Sequence, residues 1–443
     1  MKAALAAALT VASVYGADPS SGILSRFWLS GQANLITQYH PSFRADYSGP
    51  NSFSSAIEVE TSRVFTLYSG FRITDSTDVL LDVEATSGAN LSHLRGLAGF
   101  TNLDLAGAPD SRPYFARLLV HHVFGFGNES VEAGRGPLQL ANQLPARRLE
   151  IYAGKMSVVD FFDVNAIGGD THLQFLNWAI DNHATYGYPA DTRGYTYGIL
   201  CEYHEPSWAL RVAEALAAKV DSPDHLDANL ARSRATNVEI EMRHNLLRRR
   251  VGLVRVLGEL THGPFGNYRE AIDAYLSGQD SKPDVSAHRR KGNRKYGWGI
   301  NVEQELNPVL RAYGRAGWSE GRREAVAYTE AEQSYSGGFD LRGARWKRGY
   351  DKFGFAAVSS GLSVDHRRYL ALGGMGSILG DSGLNYGREN IVEAYYTARI
   401  RKWMYAAVDA QRIWRPGYNR DRGPVLVVSF RLHLESALFD SPR

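Results

Sequence analysis

The stretch VLVVSFRLHLE, residues 425–435, separates into two rows when every second residue is read. Leu426, Val428, Phe430, Leu432 and Leu434 make one row, and Val425, Val427, Ser429, Arg431, His433 and Glu435 the other. Successive side chains leave a β-strand on opposite faces, so this alternation predicts a strand with one apolar and one polar face. The contrast recurs along the chain. In 79–87, Val79, Leu81, Val83 and Ala85 oppose Asp82, Glu84 and Thr86; in 294–305, Tyr296, Trp298, Ile300 and Val302 oppose Asn301, Glu303 and Glu305. In 309–319, Leu310, Ala312, Ala316 and Trp318 oppose Arg311, Tyr313 and Arg315. In 389–400, Val392, Ala394, Tyr396, Ala398 and Ile400 oppose Glu393, Tyr395, Thr397 and Arg399. Charges of both signs behind an apolar row suit a soluble sandwich with water outside. They also suit a membrane barrel with lipid outside and a wet lumen within.

The spacing of the segments separates these settings. Sixteen segments alternate, at 27–39, 61–74, 79–87, 113–124, 148–156, 194–204, 207–216, 234–246, 250–262, 294–305, 309–319, 334–342, 353–361, 389–400, 402–412 and 424–435. Short links fall at 75–78, 205–206, 246–249, 306–308 and near Arg401. Between them run long links rich in Gly, Asp and Asn at 40–60, 88–112, 157–193, 217–233, 263–293, 320–333, 362–388 and 413–423. Short and long links thus take turns, as in an outer-membrane barrel with tight turns at one end and long loops at the other. A sandwich has no reason to alternate loop length. Two links on the short side break the pattern, 125–147 and 343–352. The expectation is an all-β transmembrane antiparallel barrel of about sixteen strands, with a lumen wet enough to hydrate its charges; burying so many would cost several kcal/mol each.

Charge and composition narrow the function. With 50 basic and 47 acidic residues the formal net charge is +3, which argues against a nucleic-acid partner. The first residues combine Lys2, the apolar run AALAAALTVASV and small residues before Gly16 or Ala17, a pattern that predicts an export signal over 1–17 and a barrel domain over 18–443. No other run is long and apolar enough for a helical membrane span. Cys201, the single cysteine, shares an apolar row with Tyr195, Tyr197, Ile199 and Tyr203 and reads as a small buried or lipid-facing residue.

The 157–193 link is too long for a plain connection and predicts an inward, constricting loop. It carries Asp160, Asp163, Asn165, Asp170, Asn177, Asp181 and Asn182, the aromatics Phe161, Phe162, Trp178, Tyr186 and Tyr188, and Arg193. Planar polar groups can hydrogen-bond to vicinal hydroxyls, and aromatic faces stack on the C–H face of a sugar ring. Phe161 and Phe162 equally suit pinning of the loop to the wall.

GKMSVVDFFDVN, QFLNWAIDNHATYGYPADTRGYTYG, LNYGRENIVEAYYTARI and RPGYNRDRGPVLVVSFRLH, in this order from about residue 150 to the C-terminus, resemble the carbohydrate-selective porins of the OprB family. LRGLAGFTNLDL, 94–105, is similar but less specific. The resemblance implies a sixteen-stranded outer-membrane barrel that passes monosaccharides, glucose especially, by diffusion through a constriction lined with Arg and carboxylates. Carried over residue by residue, it implies sugar contact at Asp160, Asp163, Asn165, Asn177, Trp178, Tyr188, Asp191 and Arg193 in the loop. Later in the chain it points to Glu393, Arg399, Asn419, Arg420, Asp421 and Arg422. Outer-membrane lipid and lipopolysaccharide would surround such a barrel, as monomer or homotrimer. The chain departs from the usual C-terminal aromatic of such barrels, since Phe439 is followed by further residues.

Other chemistry has little support. No catalytic spacing stands out, so neither an enzyme nor a cofactor is expected. His121 and His122 are adjacent in a strand and should face opposite ways, which argues against a metal pair. GGMGSILGDSG, 373–383, lacks the Lys-Ser/Thr of a phosphate loop and reads as an external loop. A polysaccharide-export barrel and a soluble β-rich carbohydrate-binding protein are the alternative readings.

Overall fold

The computed structural model describes residues 23–103, 112–220, 222–245, 250–325 and 329–440. The expected export signal, 1–17, lies outside the described residues, as does the short link 246–249. Sixteen strands form one closed sheet: β1 Phe27–His40, β2 Glu58–Thr74, β3 Thr77–Gly88, β4 Tyr114–Glu132, β5 Gln143–Met156, β6 Thr196–His204, β7 Trp208–Ala215, β8 Arg234–His244, β9 Gly252–Gly263, β10 Asn293–Asn307, β11 Leu310–Ser319, β12 Gln333–Arg342, β13 Lys352–Gly361, β14 Glu389–Arg401, β15 Met404–Trp414 and β16 Val425–Asp440. Each strand pairs antiparallel with the next in the chain, and β16 returns to β1 in a register running from Trp28↔Asp440 to Tyr39↔Val428. The wall is an antiparallel barrel without a free edge, the β-structure that satisfies every backbone amide inside a bilayer.

The two rows read from the sequence are the two surfaces of this wall. Leu426, Val428 and Phe430 point outward and are exposed, whereas Val427, Ser429, Arg431 and His433 point inward and are buried. Trp298, Ile300 and Val302 of β10 are likewise outside, and Asn301 and Glu303 inside. Exposed aromatics cluster near both outer rims, with Phe27, Phe126 and Trp403 at the short-turn end and Tyr39, Tyr296, Tyr335 and Trp414 at the long-loop end. Such paired belts suit the two interfaces of a membrane. Cys201 sits on the outward row of β6, half-buried between Ile151 and Val212 of its neighbours.

Three expectations change. The 125–147 link is mostly strand: beyond a bulge at Gly127, where φ is +83°, Ser130↔Pro145 and Glu132↔Gln143 extend the β4–β5 ladder, leaving only 133–142 as the turn. The stretch after residue 435 is also strand, since the first residues of β1 need a partner as far as Asp440. Tyr195 is not on the outward row. β6 begins at Thr196, and a turn in which Asp191 N donates to the Tyr195 carbonyl at 2.9 Å rolls the ring inward.

The long loops carry small elements of their own. The 157–195 loop holds the single-turn helix α1, Trp178–Asp181, capped by the Asn177 side chain, which accepts from Ala179 N. Helices α2, Tyr268–Leu276, and α3, Val364–Ala371, pack together in the loops before β10 and β14. Between β7 and β8 a small ribbon pairs Ala218–Lys219 with Ser222–Leu226.

Candidate functional site

The 157–195 loop is folded into the barrel and docks on the inner face of β8–β16. Glu239 of β8 accepts from Asp163 N at 2.8 Å, and the Asn301 side chain of β10 accepts from the Asn165 side-chain amide at 2.8 Å and donates to the Asp163 carboxylate at 2.9 Å. Arg315 of β11 grips the Asp163 carboxylate at 3.0 Å, the Asp163 carbonyl at 2.9 Å and the Ile180 carbonyl at 2.6 Å. Glu393 of β14 accepts from Leu176 N and Asn177 N at 2.5 and 3.0 Å. Arg431 of β16 donates to the carbonyls of Thr171 and Gln174. A loop buried inside a barrel must satisfy its backbone on the wall; here charged inward residues of the strands supply the partners.

The segment 89–103 after β3 enters beside it. Glu389 accepts from Ala98 N and Gly99 N at 3.0 and 2.9 Å, and the Phe100 carbonyl accepts from Trp178 N at 3.0 Å. Gly99 is needed there, because a Cβ would lie 2.5 Å from Asn177 Oδ1 and 2.8 Å from Ile391 Cδ1.

Together the two loops fill the lumen on one side and leave a cavity of about 230 Å³ against the wall of β1–β4. The strands contribute Gln32, Tyr68, Glu84, Thr86, Tyr114 and Arg117, and the loop contributes Trp178, Asp181, Tyr188, Arg193 and Tyr195. Arg117 forks onto Asp160, with both N–O distances 2.7 Å, and reaches Asp82 at 2.8 Å. The Tyr114 hydroxyl donates to Glu84, which also accepts from Thr66 at 3.2 Å. The Arg193 guanidinium lies 4.0 Å from the centre of the Tyr114 ring, a cation–π geometry. Trp178 and Tyr188 stack at 5.6 Å with planes 5° apart. Burial raises the pKa of the Asp181 carboxyl above the usual carboxylate range, against the pull of Arg315. The site therefore presents paired charges and ring faces with little net charge, which suits an uncharged solute bearing many hydroxyls.

The structure divides the residues expected at the site. Trp178, Tyr188 and Arg193 line the cavity, and Asp160 borders it through Arg117. Asp163, Asn165, Asn177 and Glu393 are buried between loop and wall. Asp191 closes the turn before β6, accepting from Arg193 N at 3.0 Å and Tyr195 N at 3.1 Å. The remaining residues are not brought to the cavity. Arg399 sits at the short-turn end, 4.3 Å from the Tyr350 ring centre. Asn419, Arg420, Asp421 and Arg422 lie in the loop after β15. There Arg422 is buried on the carbonyls of Tyr47 and Phe53, and Asp421 accepts from Asn385 at 2.7 Å. Sequence reasoning missed Arg117, Tyr68 and Tyr114, and it placed Tyr195 on the outward row. Arg117 shares its inward row with Leu119 and His121, and that alternation was the available signal.

Away from the cavity the inward charges are not wet. A ladder of ion pairs crosses β6–β10: Glu202 to Arg211, Arg211 to Glu239 and Glu241, Glu241 to Arg255, and Arg255 to Glu303. These side chains are at least nine-tenths buried. The expectation of a fully hydrated lumen is corrected here: the docked loop covers this side, and every charge is matched by several neighbours. Among the described residues, Glu150, Glu202 and His204 have ligand atoms within 4.8 Å of one another. Arg148 at 2.6 Å from Glu150, and Arg211 on Glu202, already neutralise these carboxylates, so the trio reads as part of the ladder rather than a metal centre. His121 and His122 leave β4 on opposite faces, His121 inward to Glu150 at 2.8 Å.

One solved structure supports this architecture. The high-pH structure of Pseudomonas putida OprB superposes with a TM-score of 0.70 at 12% identity, covering 93% of this chain and 94% of that one. The low-pH structure of the same protein gives a TM-score of 0.49 at 10% identity, with 93% of each chain covered. Pseudomonas aeruginosa OccK2 in complex with glucuronate gives 0.45 at 10% identity, covering 95% of this chain and 100% of that one. No curated protein sequence matches. The family model for the carbohydrate-selective porins matches residues 65–435, most of the barrel. The chain belongs to the carbohydrate-selective porin, OprB family, and is a sugar porin of the bacterial outer membrane.

Proposed function

We propose that the barrel passes single neutral sugars, glucose-like monosaccharides above all, by passive diffusion through the cavity between the 157–195 loop and β1–β4. The observation that carries this reading is the facing arrangement of Arg117, Glu84 and Arg193 with the rings of Tyr68, Tyr114, Trp178, Tyr188 and Tyr195 around one small space. Donors and acceptors on fixed supports replace part of the hydration shell of a sugar, and the rings take its C–H face. At about 230 Å³ the space is below the ~300–1,000 Å³ of pockets for drug-sized ligands, which favours one ring over a chain and disfavours polysaccharide export. Affinity stays low, as flux demands.

In this reading Asp160, Trp178, Tyr188 and Arg193 meet the sugar, with Arg117 and Glu84 opposite them. Asp163, Asn165, Asn177, Asp191 and Glu393 hold the loop in place. Arg399 and Arg420 lie at the two mouths and Arg422 is buried in the loop after β15, all outside the recognition step. The test is single-channel conductance in a planar bilayer, titrated with glucose. A saturable fall in current that weakens in Arg117→Ala, Arg193→Ala and Trp178→Ala supports the reading. Steady current at all glucose concentrations would leave a general diffusion pore.

A further inference from the structure

The β4–β5 connection lies at the periplasmic end, where most of the described turns are short, and it does not hang free. Residues 125–132 extend past the barrel rim and are exposed. The chain then doubles back through a tight turn in which Gly136 and Gln139 exchange backbone bonds at 2.8 and 3.3 Å. Leu140 re-enters the barrel. It is 1% exposed, in one apolar cluster with Trp28 and Leu80, and Leu138 packs half-buried against that cluster. Leu140 N donates to the Asp78 carboxylate at 2.9 Å, and Arg135 donates to the Phe27 carbonyl at 3.2 Å. On β2, a Cβ at Gly70 would lie 2.8 Å from Leu140 Cδ1, so glycine leaves the space that this leucine fills.

The docking position is specific. Trp28, Gly70 and Leu80 are inward residues of β1–β3, the wall that bounds the sugar cavity. Leu80 is two residues, about 7 Å along a strand, below Asp82, the partner of Arg117. Tyr68 lines the cavity and packs against the cluster, its ring 6.3 Å from that of Trp28. The 157–195 loop docks on the opposite strands, so the tip lies on the cavity's own side of the lumen.

We infer that the β4–β5 tip, residues 133–142, is a second narrow point of the sugar path. It is an apolar exit constriction built by Leu138, Leu140 and Trp28 that sets the upper size of the solute, while the polar cavity above sets its chemistry. The inference rests on the sugar-pore reading, and its test separates the two. In the full barrel, residues 134–141 are replaced by a two-residue Asn-Gly turn, which suits a hairpin. Conductance and liposome swelling are then measured with glucose and with a disaccharide. Two resistances of similar size in series predict that conductance rises about twofold when one is removed, that the disaccharide now enters, and that glucose block persists. Unchanged conductance with the disaccharide still excluded overturns the inference. Loss of glucose block from the unaltered protein would instead strike the sugar-pore reading. Should the shortened hairpin fail to fold, Leu138→Cys in a Cys201→Ser background decides. A cationic thiol reagent added from the periplasmic side should cut the current, and current indifferent to the reagent overturns the inference.

Discussion

The two sides of the lumen use the same residue types to opposite ends. Along β1–β4, Arg117 and Glu84 line an open cavity with ring faces between them, Arg117 held from behind by Asp160 and the buried Asp82. Along β6–β16, Arg211, Arg255, Arg315 and Arg431 are buried under the inward loop, each satisfied by carboxylates or carbonyls. What separates a recognition surface from a structural weld is whether the loop covers it. A charge left facing water keeps donors for a solute, and one pressed against a backbone carbonyl has spent them.

The comparison breaks first at the weld. Arg315→Ala leaves Asp163 buried without its cation, and the loss of one partner of a buried pair costs about 3–5 kcal/mol. The 157–195 loop should leave the wall, with higher single-channel conductance and abolished sugar block; an unchanged conductance would show that the loop is held elsewhere. A weld also exists outside the membrane, and pH tests it. His366 on α3 sits between Glu332 at 2.9 Å and Glu330 at 3.2 Å. Burial alone would lower its pKa, but the two carboxylates outweigh that and lift it to about 9, while His366 in turn holds Glu332 below the usual range. A histidine raised in the folded state stabilises fully below its ordinary value near 6.5 and loses that contribution as pH rises through about 9. The amount is roughly 3 kcal/mol from the shift. Hydrogen exchange in α2 and α3 should quicken over that interval, and His366→Gln should remove the pH dependence.

On the open side the effects are smaller and fall on sugar rather than on the fold. Arg193→Gln removes a charged donor from the cavity, worth about 1.5–3 kcal/mol, so glucose block should weaken by roughly tenfold or more while the thermal stability of the barrel moves little. Equal loss of both would mean that Arg193 is a weld as well. Smallest of all, Arg399→Ala at the periplasmic rim should change stability by no more than about 0.5 kcal/mol and leave the glucose titration superimposable on the parent. A shift in the titration would extend the recognition surface to the exit.

Much of the wall was legible and much of the site was not, for one physical reason. Lipid on one side and protein or water on the other force each strand to alternate, so Val428 and Phe430 against Ser429 and Arg431 identify their faces locally. The loop obeys no local rule. Asn177 looks like a ligand for hydroxyls, yet its amide is committed to the Gly99 carbonyl and Gln411, the latter 234 residues away in sequence. Arg422 has the composition of a sugar contact and is instead enclosed by carbonyls 369 and 375 residues distant. Tyr195 was misplaced because one turn, closed by Asp191, shifts where β6 begins. Which groups are used up depends on contacts far apart in sequence, and no spacing encodes them.

The seam between β1 and β16 carries a lesson about assembly order. The Ser30 hydroxyl donates to the Ser436 carbonyl across 406 positions, so the wall cannot seal before the last strand is made. Closing so long a chain costs only logarithmically more than closing a short one, but contacts this remote form slowly. The sealing strand also bears Arg431, which clasps the Thr171 and Gln174 carbonyls from 260 and 257 residues away. The last strand thus supplies both the seam of the wall and a clasp on the inward loop, which ties closure of the barrel to the seating of its filter.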